Sequence, residues 1–258
     1  MDNGFVLRRK KTNRGNSMQY TITYIYHSAF VLRTDRRTYL FDYPENEHLP
    51  NGADGLVRDL VAGTDLAVFI SHGHADHCNG DLASVTRTAR QVRYVLSDDV
   101  AELRPEAVPG NGQVLLAEPD ETYGFGGMIV ETLMSNDLGV AFLVEDKCFR
   151  FYYGGDLAEW TWPGAARAEA DFTRKFFQGN MEHARAFKPQ VAFANVDPRL
   201  DNLAGGVEAC RIIGAPVFVP MHTFGETAIL DGFARTVEPE PSTVFRYAAM
   251  GDSEVFSF

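Results

Sequence analysis

Cysteine is scarce in this chain. Three residues in 258, at Cys78, Cys148 and Cys210, form an odd and scattered set that excludes a disulfide framework. No apolar run approaches the roughly 20 residues needed to cross a bilayer. The early stretch Arg8–Arg14 is polar throughout and holds no signal-peptide core. Positive charge is also in deficit: 24 basic residues face 35 acidic ones, a net −11 that would repel phosphate backbones and argues against nucleic acid. No glycine-rich loop with a lysine marks a phosphate cradle. These absences predict a cytoplasmic globular protein whose partner is a small molecule, with no membrane or nucleic-acid role. Residues 1–17 hold five basic residues and one acidic, and read as a disordered leader or an early start ahead of Met18. Residues 18–258 are expected to form a single domain, at 45% hydrophobic content and ordinary domain length.

Histidine is sparse too, at seven residues, yet three of them fall in Ser71-His72-Gly73-His74-Ala75-Asp76-His77. Imidazole and carboxylate are ligands for zinc, manganese and iron. In extended backbone, positions i and i+2 share a face, so His72 and His74 can grip one ion. Asp76 and His77 follow as the chain bends, and can face a second. The apolar run Leu66–Ile70 directly before the cluster reads as a buried strand that delivers it. Two later strands also end in a candidate ligand. Phe149–Tyr153 runs into Gly154-Gly155-Asp156, and Ala215–Pro220 runs into Met221-His222.

The HxHxDH string after a strand, followed by Asp156 and His222 in this order, resembles the metallo-β-lactamase superfamily. That resemblance implies an α/β fold, a four-layer αββα sandwich, and two divalent ions bridged by Asp156, with His222 as the last ligand. Zinc or manganese would suit the set, and iron is a further option. The family's remaining histidine falls, in this chain, on Asn136 within Ser135-Asn136-Asp137-Leu138-Gly139. An amide oxygen holds a metal less firmly than imidazole, so the first ion site is expected to be weak or empty. Asp137 supplies a carboxylate nearby that can compensate, or the segment is only a polar turn. Tyr26-His27-Ser28-Ala29 is similar to the segment near the start of the branch that contains ascorbate-phosphate lactonases. This similarity implies that His27 lies close to the metals as a supplementary ligand, a proton carrier or a substrate contact. Asp42, closing the strand Thr38–Asp42, is expected to bond to the ligand loop rather than to a metal.

Between these positions the pattern reads as a β-meander over 18–45, a helix from about His77 to Arg90, a strand at Gln91–Leu96 and a second β-rich half through Tyr153. A long amphipathic helix over Ala165–Phe187, interrupted at Gly179, comes next. Both tryptophans, Trp160 and Trp162, precede it, and Trp160 is a candidate wall for a substrate pocket. The strand Gln190–Asp197 ends in Asp197-Pro198-Arg199, which places Asp197 and Arg199 as candidate substrate contacts. The reading that follows is a hydrolase using a metal-bound hydroxide on a small-molecule ester, lactone or phosphodiester, with Asp76 and His27 as the proton-handling groups. Two other classes stay open: a binding module of the same fold without turnover, and an iron-dependent redox member.

Overall fold

The computed structural model describes residues 18–110 and 112–257, so the expectation for a leader over 1–17 lies outside the described residues. Two seven-stranded mixed sheets dominate. The first takes strands β1 (Gln19–Tyr26), β2 (Ala29–Thr34), β3 (Thr38–Phe41), β4 (Asp65–Ile70), β5 (Gln91–Ser97) and β6 (Gln113–Ala117) in sequence order, with β14 (Ser253–Ser257) outside β1. The second takes β7 (Thr122–Phe125), β8 (Met128–Met134), β9 (Val140–Asp146), β10 (Phe149–Tyr153), β11 (Val191–Asn195), β12 (Val217–Met221) and β13 (Thr243–Val244). Each half begins as an antiparallel meander and ends in parallel strands joined by crossovers.

The central strands are buried on both faces, which is why their sequences read as unbroken apolar runs. Alternate residues serve two different cores. In β4, Ala67 and Phe69 point between the sheets, while Leu66, Val68 and Ile70 point outward. The outward set meets α1 (Ala53–Val61) and α2 (Leu82–Thr86) through Val57, Val61, Leu82 and Val85. On the far side, Ala141, Leu143 and Tyr152 meet α4 (Arg167–Phe187), α5 (Gly206–Ile213) and α6 (Leu230–Val237). The result is a helix–sheet–sheet–helix sandwich, as the α/β expectation required.

Three local expectations change. The helix anticipated over His77–Arg90 shrinks to α2, because residues 77–81 are committed elsewhere: Tyr43 N–H bonds to His77 O, Asn79 bonds to Pro44 O, and Asp81 caps α2 by accepting from Ser84 N–H. A helix α3 (Asp98–Leu103), absent from the sequence reading, follows β5. Finally, α4 runs unbroken through Gly179. A helical glycine costs about 1 kcal/mol against alanine, and burial of Phe177, Met181 and Ala184 beside it offsets that.

Candidate metal centre

β1, β3, β4, β8, β10, β11 and β12 all point their C-terminal ends at one edge of the sandwich, and His27, Asp42, His72–His77, Asp137, Asp156, Asp197 and His222 follow those ends. Two glycines let the loops interlock there. Gly139 and Gly155 have φ of 65° and 50°, and a Cβ on either would strike Ser71. This close approach permits the Val140 N–H to Ser71 O hydrogen bond at 2.9 Å, which ties the two sheets together under the site.

Asp42 organises the floor. Fully buried, it accepts from Ser71 N–H at 2.8 Å, Ser71 Oγ at 2.9 Å and His77 Nδ1 at 2.6 Å, and lies 2.5 Å from the Tyr153 hydroxyl. The Tyr153 ring is held for this by stacking on Phe41, with centroids 4.7 Å apart. Because the Ser71 hydroxyl donates to Asp42, it can only accept from His72 Nδ1, 2.9 Å away. His222 Nδ1 in turn lies 3.1 Å from Asp197 Oδ2. Three buried histidines therefore spend Nδ1 on an oxygen behind them and turn Nε2 inward, where His72 Nε2 also lies 2.9 Å from His74 Nδ1.

Those three nitrogens converge on Asp156, at 3.6 Å for His72, 3.3 Å for His77 and 3.4 Å for His222. An unprotonated Nε2 in this position aims a lone pair at the carboxylate, and the two repel unless a metal ion or a proton lies between them. Asp156 Oδ1 and His77 Nε2 are buried without any hydrogen-bond partner, as expected of atoms whose partner is a metal ion. The donor set thus fits two divalent ions. One group is His72, His74, Asp137 and Asp156, the other His27, Asp76, His77 and His222, with the candidate ligand atoms of each within 4.8 Å of one another.

In the metal-free chain, protons take the cations' place. Burial lowers the pKa of His77, but the Asp156 and Asp42 carboxylates outweigh it and push it up to about 9. His222 is likewise raised, burial being outweighed by Asp156 and Asp197. His72 is driven well down by burial and by His77. His27 falls to about 3, from burial and the neighbouring His222. Burial alone would raise Asp156, yet the charges of His77, His222 and His72 hold it well below the usual carboxylate range.

The structure places several site residues differently from the sequence reading. Asn136 is not oriented as a ligand: its amide donates to Ala158 O at 2.8 Å and accepts from Ala158 N–H at 3.2 Å. Asp137, expected in a supporting role, takes the inward position with Oδ2 3.7 Å from His74 Nδ1. Asp197 makes no wall of the cavity. It is wholly buried behind His222 and forked by Arg199 Nε at 3.0 Å and Nη2 at 2.5 Å. Trp160 and Arg199 do line a cavity of ≈ 320 Å³ over Asp76, Asp156 and His222. The Trp160 indole N–H donates to Asp156 O at 2.8 Å, and the Arg199 guanidinium lies over the Phe224 ring at 4.3 Å. Ser71, Tyr153 and Phe224 were not singled out from sequence. Nor was Asp99, which accepts from Gly73 N–H at 2.8 Å and pins the ligand loop. The acidic pair Asp98-Asp99 after a strand was a readable helix-start signal for that contact.

A family model described as "Beta-lactamase superfamily domain" matches residues 57–223, and the chain belongs to this metallo-β-lactamase superfamily. His27 and Asp42 lie outside the matched segment. Among solved structures, the chain is similar to YhfI, a metallo-beta-lactamase fold protein from Bacillus subtilis (13% identity, 93% of this chain and 99% of that one, TM-score 0.62). It is similar too to Igni18, a metallo hydrolase from Ignicoccus hospitalis (17% identity, 93% and 99%, TM-score 0.57). A third is CmlA, a diiron beta-hydroxylase from Streptomyces venezuelae (13% identity, 93% of this chain but 54% of that one, TM-score 0.57). At these identities the likeness concerns the fold. A search of curated proteins returned no match.

Proposed function

We propose that this chain is a metal-dependent hydrolase that cleaves an ester, lactone or phosphodiester bond in a small molecule, as in the lactonase-like branch of its superfamily. The observation that carries this reading is the convergence of three buried Nε2 atoms on the Asp156 carboxylate, whose Oδ1 has no hydrogen-bond partner. His72, His74, Asp137, Asp76, His77, His222 and Asp156 would hold divalent ions, whose chemistry would be to lower the pKa of a bound water from about 15.7 to about 7. The chain's own groups do the remainder. Asp76, part-exposed at the cavity floor, orients the attacking water and accepts its proton. Trp160 and Trp162, ring planes 6° apart, exclude solvent and offer an apolar wall. Arg199 spends Nε and Nη2 on Asp197, which leaves its Nη1 donors for a substrate oxygen. No helix among the described residues is long and apolar enough to cross a membrane, and we take the site of action to be the cytoplasm.

The test is elemental analysis together with a panel of lactones, phosphodiesters and thioesters assayed with Mn²⁺ or Zn²⁺. Near two equivalents of metal per chain and turnover abolished in His74→Ala and Asp156→Ala support the reading. Turnover that survives either substitution sinks it. One observation favours a second reading, iron-dependent redox chemistry: Asp137 at the imidazole's place makes the first group half carboxylate, a harder set congenial to iron. Iron retained through purification, with oxygen consumption in place of hydrolysis, would select it.

A further inference from the structure

Backbone strain concentrates at this site. Among the described residues nine non-glycine residues have positive φ, and four of them are His27 (54°), Asp42 (34°), His222 (64°) and Phe224 (50°). For a bulky residue such as Phe224 that conformation is strained and persists only where the surroundings enforce it. Its consequence here is specific: Phe224 N–H is delivered to His27 Nδ1 at 3.3 Å. The His27 ring is clamped in that pose, 4.0 Å from the Phe224 ring and 4.3 Å from the His222 ring. Its own backbone N–H bonds to the Tyr24 hydroxyl at 3.1 Å.

A backbone N–H can only donate, so His27 Nδ1 must present a lone pair. The single proton of a neutral imidazole then sits on Nε2. His72, His77 and His222 are the reverse, each donating from Nδ1 to an oxygen and leaving Nε2 to face Asp156. For His27 to ligate through Nε2, the ring would have to lose both protons. Turning the ring over would set a carbon against Phe224 N–H and leave that donor unpaired, which is unfavourable. Nε2 of His27 is buried with no hydrogen-bond partner, and the nearest carboxylate oxygen is Asp76 Oδ2 at 3.5 Å.

Building on the metal-centre reading above, we propose that His27 is not a ligand although it lies among the ligands. It is a positioning residue whose Nε2–H is held toward Asp76 Oδ2 by the strained Phe224 turn, leaving the second ion to Asp76, His77, His222 and the shared Asp156. The donor restrains one oxygen of Asp76, so that the other meets the ion or the attacking water in one orientation.

The experiment is ¹⁵N NMR of histidine-labelled full-length protein loaded with ¹¹³Cd²⁺. The expected spectrum has cadmium–nitrogen couplings at Nε2 of His77 and His222, none at His27, and a His27 ring protonated on Nε2 and bare on Nδ1. A coupling at His27, or a proton on its Nδ1, overturns the donor role while leaving the metal centre standing. Couplings at no histidine overturn the metal centre, and this proposal with it. In a folded His27→Gln variant, which keeps an N–H donor, the second cadmium equivalent should bind within about tenfold of its original affinity, the lower end of what outer partners contribute. Loss of that equivalent in the folded variant would show His27 to be a ligand.

Discussion

The two ligand groups share one carboxylate and differ in what stands behind them. His77 and His222 are almost fully buried, each backed by a buried aspartate, Asp42 or Asp197. In the other group only His72 is backed, through Ser71, while the side chains of His74 and Asp137 are 48% and 43% exposed. Residues that orient ligands are worth about 10–100-fold in metal affinity, so the buried group should hold its ion more tightly though the ligand types are alike. On this account, the difference in affinity is expected to come from one layer out from the metal.

The largest effect should come from removing what the groups share. Asp156→Ala should reduce bound metal to near zero by elemental analysis, a loss exceeding the ~100-fold that outer partners contribute. Retention of either ion would contradict the shared-carboxylate geometry. Next is Asp42→Ala, which strips support from His77 directly and from His72 through Ser71. Both ions should weaken about 10–100-fold, and chemical denaturation of the metal-free protein should show a loss of about 3–5 kcal/mol, as for breaking a buried charged pair.

Asp137→Ala should separate the groups. The first ion is lost to a mild chelator while the second stays, read as one equivalent in place of two. Asp137→His, which supplies the imidazole the position lacks, should tighten the first ion instead.

The smallest effect is a difference in pH dependence. Metal at the buried group must displace the proton that His77 holds up to about 9, so affinity there should fall as pH drops below 9, by about tenfold per unit for each proton displaced. His72, driven well below its ordinary value, has no proton to displace at neutral pH, so the first ion should show the shallower slope. Calorimetric titrations in buffers of different ionisation enthalpy would count the protons released at each step. The same group links to stability: in the metal-free protein the His77 contribution is complete below the unfolded-state value near 6.5 and is lost as pH rises through about 9.

What could be read in the chain, and what could not, follows a physical line. The frame was legible because strands buried on both faces leave unbroken apolar runs, and three of those runs end in ligand-type residues. The ligand string itself is local, spanning 72–77. Asp137 was named as a compensating carboxylate but not preferred over Asn136, because a single-residue shift within a turn decides which of the two faces inward, and Ala158, 22 residues away, captures the amide. Asp197 was misread for a similar reason: strand-end position gives proximity to the site, whereas the Arg199 fork and His222 decide direction. The proton on His27 depends on a backbone group 197 residues distant, beyond any local pattern.

The most direct test is an anomalous-scattering map from crystals grown with Mn²⁺ or Zn²⁺. Two peaks flanking Asp156 are predicted, one among His72, His74 and Asp137, the other fuller and bounded by Asp76, His77 and His222. Peaks confined to the protein surface, or a conserved apo geometry with no density between those nitrogens and Asp156, would contradict the account.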